Sequence, residues 1–221
     1  METQHAHAPA RLASCARMPE WMRHFGHPTG VLGALAGHLM ALRNRKRSLL
    51  VLTLVDPRPG ERILEVGFGP GLDIRRVSRT AAFVAGVDQS PVMLRQAQRR
   101  NDGALRVGKV ELHQGDARSL AFADDSFDKA FSINSAQFWP EPFVVIREMY
   151  RVLRPQGQLV LAVQPRTIDA SSRTSQETAE ELAALLTSGG FQEVTSALKP
   201  AGRVPIACAI ARKPTLREPA R

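Results

Sequence analysis

Short apolar runs and stretches of helical spacing alternate along most of this chain. Apolar runs lie within residues 62–66, 83–88 and 158–163, and the more mixed stretches 110–114 and 129–133 continue the series of predicted strands. A strand that is buried on both faces of a parallel sheet has this continuous apolar character, because helices cover both of its sides. The alternation therefore predicts an α/β domain built on a mostly parallel sheet.

The helical spacing of apolar residues predicts the connections between these strands. The expected helices cover residues 72–77, 91–97, 143–153 and 177–186. Ser90 and Pro91 are suited to cap and begin the second of these helices. Leu153 to Gly157, with its proline and glycine, predicts a turn before the fifth strand.

The last apolar runs, around Val194 and at residues 206–210, predict a closing antiparallel pair of strands. Cys208 lies inside the second run and is expected to be a small core residue. With Cys15 as its only possible partner in the chain, it indicates neither a disulfide framework nor a metal site. Residues 213–221 are expected to form a loose tail.

The N-terminal part precedes the first strand and has a different character. Residues 1–17 lack periodicity and predict a disordered lead, whereas residues 18–56 predict a helical cap. An apolar stripe in this cap is followed by a basic cluster, which consists of Arg43, Arg45, Lys46 and Arg47. Packing of the stripe on the main sheet is the favoured interpretation, and a helix lying on an anionic membrane is the alternative.

Composition is that of a soluble globular protein, with 221 residues, 43% hydrophobic and 23% charged. No run reaches the roughly 18 apolar residues of a membrane span, and the first residues, with His5, His7 and Pro9, lack the apolar core expected of a secretory signal. The expected location is the cytoplasm, with peripheral attachment to the inner membrane surface as an alternative. A net charge of +9 indicates an arginine-rich solvated surface or an anionic partner. The basic cluster does not indicate a nucleic-acid partner, because no aromatic residues interleave it as they do in single-strand binding sites.

A glycine loop follows the first strand, and its spacing distinguishes two classes of cofactor site. Gly67, Gly69 and Gly71 follow Glu65 as Glu-x-Gly-x-Gly-x-Gly, and glycines let a ligand lie against the main chain. The dinucleotide fingerprint requires Gly-x-Gly-x-x-Gly, so Leu72 stands where glycine or alanine is expected. The loop therefore favours a cofactor other than a nicotinamide dinucleotide.

Two further polar positions follow the second and third strands. Asp88 ends the second strand about 20 residues beyond the loop, where an acid can accept hydrogen bonds from ribose hydroxyls. Capping of the following helix is the competing role, but Ser90 already supplies that cap. Gly115-Asp116-Ala117 follows the third strand, and in isolation it predicts only a turn.

Taken in order, these motifs and Leu153-Arg154-Pro155-x-Gly157 resemble the class I S-adenosylmethionine-dependent methyltransferases over about residues 59–212. Within that class the chain is most similar to small enzymes of the quinone-biosynthesis type. The resemblance implies a Rossmann-like seven-stranded sheet with helices on both faces, the last strand antiparallel, and places the methyltransferase domain at residues 57–212.

The same resemblance implies S-adenosyl-L-methionine as cofactor and assigns residues to its parts. The glycine loop would hold the methionine end, with Glu65 ordering its ammonium group, and Asp88 would hold the ribose. Asp116 and Ala117 would hold the adenine. The remaining residues expected around the cofactor are Gln89, Met93, Gly115 and Asn134.

The substrate side is expected in the loop after the fourth strand, where open α/β sheets bind ligands. Phe138 and Trp139 in this loop are either lid residues or anchors to the core. From the cap, Phe25 and His27 are placed on the substrate side. No histidine is assigned a catalytic role, because a lone histidine is more often structural, and no metal is expected.

These observations predict a methyltransferase that acts on a small-molecule or lipophilic acceptor by in-line methyl transfer. A phospholipid or membrane-surface N-methyltransferase is the alternative. A nicotinamide oxidoreductase and a noncatalytic basic binding module are less favoured, the first by the loop spacing and the second by the intact acids at Glu65, Asp88 and Asp116.

Overall fold

The computed structural model describes residues 47–165 and 170–215. Seven strands form one sheet in the order β3-β2-β1-β4-β5-β7-β6. Their bounds are β1 Arg62–Val66, β2 Phe83–Asp88, β3 Val110–Gln114, β4 Phe127–Ile133, β5 Leu153–Val163, β6 Gln192–Lys199 and β7 Ile206–Arg212. The first five strands are parallel, and β7 runs antiparallel to both β5 and β6. This confirms the predicted sheet and its closing antiparallel pair.

Helices cover both faces of the sheet. They are α1 at residues 47–55, α2 Leu72–Val77, α3 Pro91–Arg106, α4 Pro142–Val152 and α5 Ser172–Ser188, and a 3-10 helix covers Ala136–Phe138. The predicted starts of α2 and α3 are confirmed, and Ser90 caps α3 by accepting a hydrogen bond from the Met93 amide at 3.4 Å. Asp56, with a φ of 45°, follows the last residue of α1, as its Asp-Pro stop signal predicts.

Alternate residues of each central strand enter two separate cores. Leu159 and Leu161 of β5 pack with α4 and α5 on one face, whereas Val160 and Ala162 pack with α1, α2 and α3 on the other. Cys208 of β7 is fully buried in the second core, and burial raises the pKa of its thiol to about 12. Cys208 is therefore a small core residue, as expected.

The prediction of a turn at residues 153–157 is wrong, because these residues form the first part of β5. Phe127 pairs with Leu153 and Lys129 with Gln158, so two steps along β4 match five along β5. The extra residues make a bulge, and Gln156 there has a φ of 66°. Pro155 and Gly157 therefore lie in a bulge within β5, and the strand continues past them.

Two other boundaries differ from the sequence-based expectation. Helix α5 begins at Ser172, five residues before the predicted start, because the Ser171 hydroxyl accepts from the Thr174 amide and caps a polar first turn. Lys213, expected to open a loose tail, is 8% exposed. Its Nζ donates to Leu153 O and to Asp125 Oδ1, both at 2.6 Å, so the chain is anchored there.

Several N-terminal predictions lie outside the described residues. They concern the lead at 1–17, most of the helical cap, and the basic cluster apart from Arg47. Residues 216–221 of the tail also lie outside. Within the described ranges, no helix is long and apolar enough to cross a membrane.

Candidate functional site

Each glycine of the loop after β1 meets a different spatial requirement. Gly67, Gly69 and Gly71 have φ values of 78°, 52° and 72°, a region that favours glycine. A Cβ on Gly67 would lie 2.2 Å from Ser135 Oγ, and one on Gly71 would lie 2.6 Å from Ala97 Cβ. A Cβ on Gly69 would meet no atom within 4 Å. Gly67 and Gly71 are thus required by packing, whereas Gly69 leaves open space beside its backbone.

Glu65 lies at the carboxyl end of β1 with a carboxylate that is only partly satisfied. The residue is 3% exposed, and Oε2 has no hydrogen-bond partner. Burial raises the pKa of Glu65 well above its ordinary value, and the nearby acids Asp73 and Asp88 raise this pKa further. Asp73 is itself paired with Arg76 at 2.7 Å. A cationic ligand group beside Glu65 would favour the charged form of its carboxyl and could pair with Oε2.

Asp88, at the end of β2, stabilises the glycine loop through a hydrogen bond. Its Oδ2 accepts from the Gly69 amide at 2.8 Å, and its Oδ1 accepts from the Ser90 amide at 2.9 Å. A carboxylate has about four lone-pair sites, so it can accept several hydrogen bonds at once. Asp88 therefore orders the glycine loop.

The Gly115-Asp116-Ala117 turn lies beside the end of β2, because the Gly115 amide donates to Asp88 O at 3.1 Å. Arg118 donates to Asp116 Oδ2 from Nε at 3.0 Å and from Nη2 at 2.7 Å. These hydrogen bonds lower the pKa of Asp116, so its carboxylate stays charged as an acceptor.

Arg118 also contacts the carboxylate of Glu141, the residue that precedes α4. The arginine therefore links the turn after β3 to the end of the loop after β4. Sequence analysis missed Arg118, since its two partners lie 2 and 23 residues away and only folding brings the second one close.

The other expected cofactor residues occupy different environments. Met93 is 3% exposed in the first turn of α3, whereas Gln89 is exposed at the end of β2. Ala117 packs against the core beneath α4 and α5. Asn134 has a φ of 54°, and its Oδ1 accepts from the Gln164 amide at 2.8 Å, so this side chain joins the ends of β4 and β5.

The loop after β4 contains the two aromatic residues expected on the substrate side. Trp139 is 6% exposed, and its Nε1 donates to Ser135 Oγ at 3.2 Å. Of the two alternatives for Trp139, the structure supports the anchor. Phe138 is half-buried. Phe25 and His27 lie outside the described residues.

This arrangement fits S-adenosyl-L-methionine. The strands β3, β2 and β1 are neighbours, and a spacing of about 4.8 Å makes their carboxyl ends span roughly 10 Å. Along that edge lie Asp116, Asp88 with the open backbone at Gly69, and the buried carboxylate of Glu65. A ligand with an exocyclic amine, a ribose and an ammonium group would meet acceptors in that order.

Comparisons with known proteins agree with the geometry. Residues 64–161 match the family described as a methyltransferase domain. An uncharacterized methyltransferase of Bacillus subtilis, YdaC, is 30% identical over 182 residues, which cover 81% of this chain and 98% of that protein. Phosphatidylethanolamine N-methyltransferase of Cereibacter sphaeroides is 39% identical over 102 residues, covering 46% of this chain and 50% of that protein.

The fold is also that of solved methyltransferase structures. Phosphoethanolamine N-methyltransferase 2 of Haemonchus contortus, in complex with S-adenosyl-L-methionine, superposes with a TM-score of 0.62 at 19% identity. The superposition covers 77% of this chain and 53% of that one, so this chain spans about half the length of both N-methyltransferases. From the motif order, the sheet and these matches, the chain belongs to the class I methyltransferases, enzymes that use S-adenosyl-L-methionine as cofactor.

Proposed function

We propose that the protein transfers a methyl group from S-adenosyl-L-methionine to a small, uncharged, lipophilic acceptor. The carrying observation is the chemistry of the loops after β4 and β5. Residues 134–140, 164–165 and 170–171 carry amide, hydroxyl, apolar or aromatic side chains, and Glu141, the last residue of the loop after β4, pairs its carboxylate with Arg118. A site of this composition favours a neutral acceptor over a phosphate or a carboxylate.

The strand order supports this division between donor and acceptor. β4 lies beside β1, and β5 beside β4, so the acceptor loops adjoin the cofactor loop at the same edge. Ser135 contacts both regions, since its Oγ occupies the space that a Gly67 side chain would need. The acceptor would therefore approach from the β4–β5 side, toward a cofactor held over β1, β2 and β3.

Catalysis in this account comes mainly from positioning. Holding donor and nucleophile in line contributes on the order of 7–11 kcal/mol to lowering the barrier of a bimolecular reaction. Residues 134–140 and 164–165 contain no histidine, lysine or acid that could act as a base. They supply instead a shaped neutral surface, with Trp139 fixing the loop through its hydrogen bond to Ser135.

A phospholipid N-methyltransferase is the second candidate. The similarity to the Cereibacter sphaeroides phosphatidylethanolamine N-methyltransferase favours it, because the matched region gives 39% identity over 102 residues. Such an acceptor combines an amine with a lipophilic body, and it would bring its phosphate to the same cleft.

The test is methyl transfer from cofactor labelled in the methyl group, with lipid and aqueous extracts offered separately. We expect label in neutral, organic-soluble products. Label confined to phosphatidylethanolamine would favour the second candidate. Label found only in anionic aqueous metabolites, protein or nucleic acid would contradict a neutral lipophilic acceptor.

A further inference from the structure

Gln164, directly after β5, has an amide whose orientation the fold determines. The side-chain Nε2 donates to Val204 O at 2.6 Å and to Ala201 O at 3.4 Å. Carbonyl oxygens only accept hydrogen bonds, so the nitrogen must face them and Oε1 must face the other way. Exchanging the two ends of the amide would place an oxygen against two oxygens, which excludes the flipped orientation.

The amide oxygen that results from this orientation has no partner. Gln164 is 5% exposed, and its Oε1 is buried without a hydrogen bond. Buried polar groups in proteins are nearly always paired, since an unpaired one retains the full cost of its desolvation. An oxygen held in this state is suited to accept a hydrogen bond from a ligand.

The position of Gln164 shows which side of the cleft the residue adjoins. Its backbone amide donates to Asn134 Oδ1 at 2.8 Å, so the residue lies where β4 and β5 end together. β5 is two strands from β1, or about 10 Å from the glycine loop. This places Gln164 on the acceptor side of the cleft and away from the strands that would hold adenine and ribose.

A second side-chain amide, in the loop after β4, also has a buried oxygen without a hydrogen-bond partner. Gln137 lies in the 3-10 helix after β4, and its Oε1 is also buried without a partner. The loops that follow β4 and β5 thus each contain an amide oxygen that lacks a donor. An acceptor molecule carrying hydroxyl or N–H groups would supply what both positions lack.

We propose that Gln164 is a specificity-determining residue of the acceptor site, where its Oε1 accepts a hydrogen bond from a hydroxyl or N–H group of the methyl acceptor. Gln137 provides a second acceptor in the same cleft. The inference rests on the proposed function and narrows it to neutral acceptors that carry a hydrogen-bond donor. Molecules of similar shape without a donor should bind less well, because they leave the amide oxygen unpaired.

Phenol and anisole test this inference, since they share a ring and an oxygen, and in anisole a methyl group replaces the hydroxyl hydrogen that phenol can donate. Each is titrated by NMR into the full chain saturated with S-adenosylhomocysteine. We expect phenol to bind about tenfold more tightly than anisole, the effect of one hydrogen bond to a buried acceptor. In Gln164→Met, or in Gln164→Leu, phenol should bind more weakly, so the ratio of the phenol affinity to the anisole affinity should fall to about one.

Ser132→Ala is the matched control. Ser132 lies within β4 and is fully buried, and its Oγ also lacks a partner, but the residue is inside the sheet. This variant should keep the wild-type ratio. Equal affinity of the wild type for phenol and anisole, absence of binding by either, or an unchanged ratio in Gln164→Met would overturn the inference.

If neither Gln164 variant folds, the ratio of the phenol and anisole affinities of the wild type is sufficient to test the inference. A water molecule that satisfied Oε1 permanently would give equal binding of the two probes and so count against the proposal. Failure of S-adenosylhomocysteine to bind would instead contradict the proposed function, which keeps the two failures distinct.

Discussion

Glu65 carries a carboxylate that the fold buries beside two other acids, with one oxygen unpaired. An arrangement of this kind destabilises the ligand-free protein and stabilises a complex with a cation. We predict that Glu65→Gln weakens binding of S-adenosylhomocysteine at least about tenfold, since a charge-assisted hydrogen bond contributes roughly 1.5–3 kcal/mol. Isothermal titration calorimetry measures this, with the exposed Glu177→Gln as control.

The same residue gives a pH dependence with a definite sign. Because the pKa of Glu65 is raised in the folded chain, its stabilising contribution is present below the unfolded pKa of about 4.3 and is lost as the pH rises through the folded pKa. Ligand-free Glu65→Gln should therefore resist urea better than the wild type at pH 8, with a smaller difference at pH 4. A variant less stable than the wild type at pH 8 would contradict this account.

Asp88 should show two effects when it is replaced by alanine. Loss of the ribose contacts should weaken S-adenosylhomocysteine binding at least about tenfold. Loss of the hydrogen bonds from the Gly69 and Ser90 amides should lower the free energy of unfolding by roughly 1–3 kcal/mol. Calorimetry and urea denaturation measure the two separately. Unchanged affinity in a folded variant would remove Asp88 from the site.

Packing of α2 against α3 depends on Gly71, the residue that precedes α2. Gly71 has a φ of 72°, and its carbonyl accepts from Asn101 Nδ2 at 3.0 Å. A Cβ there would lie 2.6 Å from Ala97 Cβ. We predict that Gly71→Ala lowers the free energy of unfolding by roughly 2–5 kcal/mol through overpacking and backbone strain.

Gly103→Ala is the matched control for this prediction. Gly103 lies inside α3, and a Cβ there would meet no atom within 4 Å. Alanine is the better helix former, so Gly103→Ala should raise the stability by about 0.5–1 kcal/mol. Urea denaturation of both variants measures the difference, and a Gly71→Ala variant as stable as Gly103→Ala would contradict the packing argument.

The elements that sequence patterns predicted well are those with local causes. Buried strands such as β1 and β2 consist mostly of apolar residues, and Ser90 with Pro91 marks a helix start whatever the surroundings. The start of β5 was not predicted, because its bulge depends on pairing with β4. A local sequence pattern carries no information about which strand will be the pairing partner.

At the scale of the whole molecule, the same distinction applies to the candidate site. Glu65, the glycines and Asp88 follow strands in a recognisable order, so their common edge was predictable. Arg118 and Gln164 were not predictable, because Glu141 in one case and Val204 in the other approach them only in the folded chain. Trp139 remained ambiguous until its hydrogen bond to Ser135 was known.

The net charge of +9 and the basic cluster lead to a prediction about surfaces. Each basic side chain near an anionic membrane contributes about 1 kcal/mol, so the four residues of the cluster together would support reversible docking. We predict salt-sensitive co-sedimentation of the protein with anionic vesicles, abolished when Arg43, Arg45, Lys46 and Arg47 are all replaced by Gln. If the unmodified protein never sediments with such vesicles, a soluble acceptor becomes the better hypothesis.

The cofactor is expected to lie against the open backbone of the glycine loop, and a pair of glycines tests this position. Gly69 and Gly108 both have positive φ, and a Cβ on either would meet no atom within 4 Å. Alanine at each should therefore cost a similar roughly 1–2 kcal/mol of stability. Gly108 follows α3 and lies away from the acids of the site.

The decisive measurement is calorimetric titration of S-adenosylhomocysteine into the wild type, Gly69→Ala and Gly108→Ala, with NAD titrated into the wild type for comparison. We predict that S-adenosylhomocysteine binds the wild type and Gly108→Ala equally, that Gly69→Ala loses this binding, and that NAD does not bind. Retained binding in Gly69→Ala, or binding of NAD in place of S-adenosylhomocysteine, would contradict this prediction.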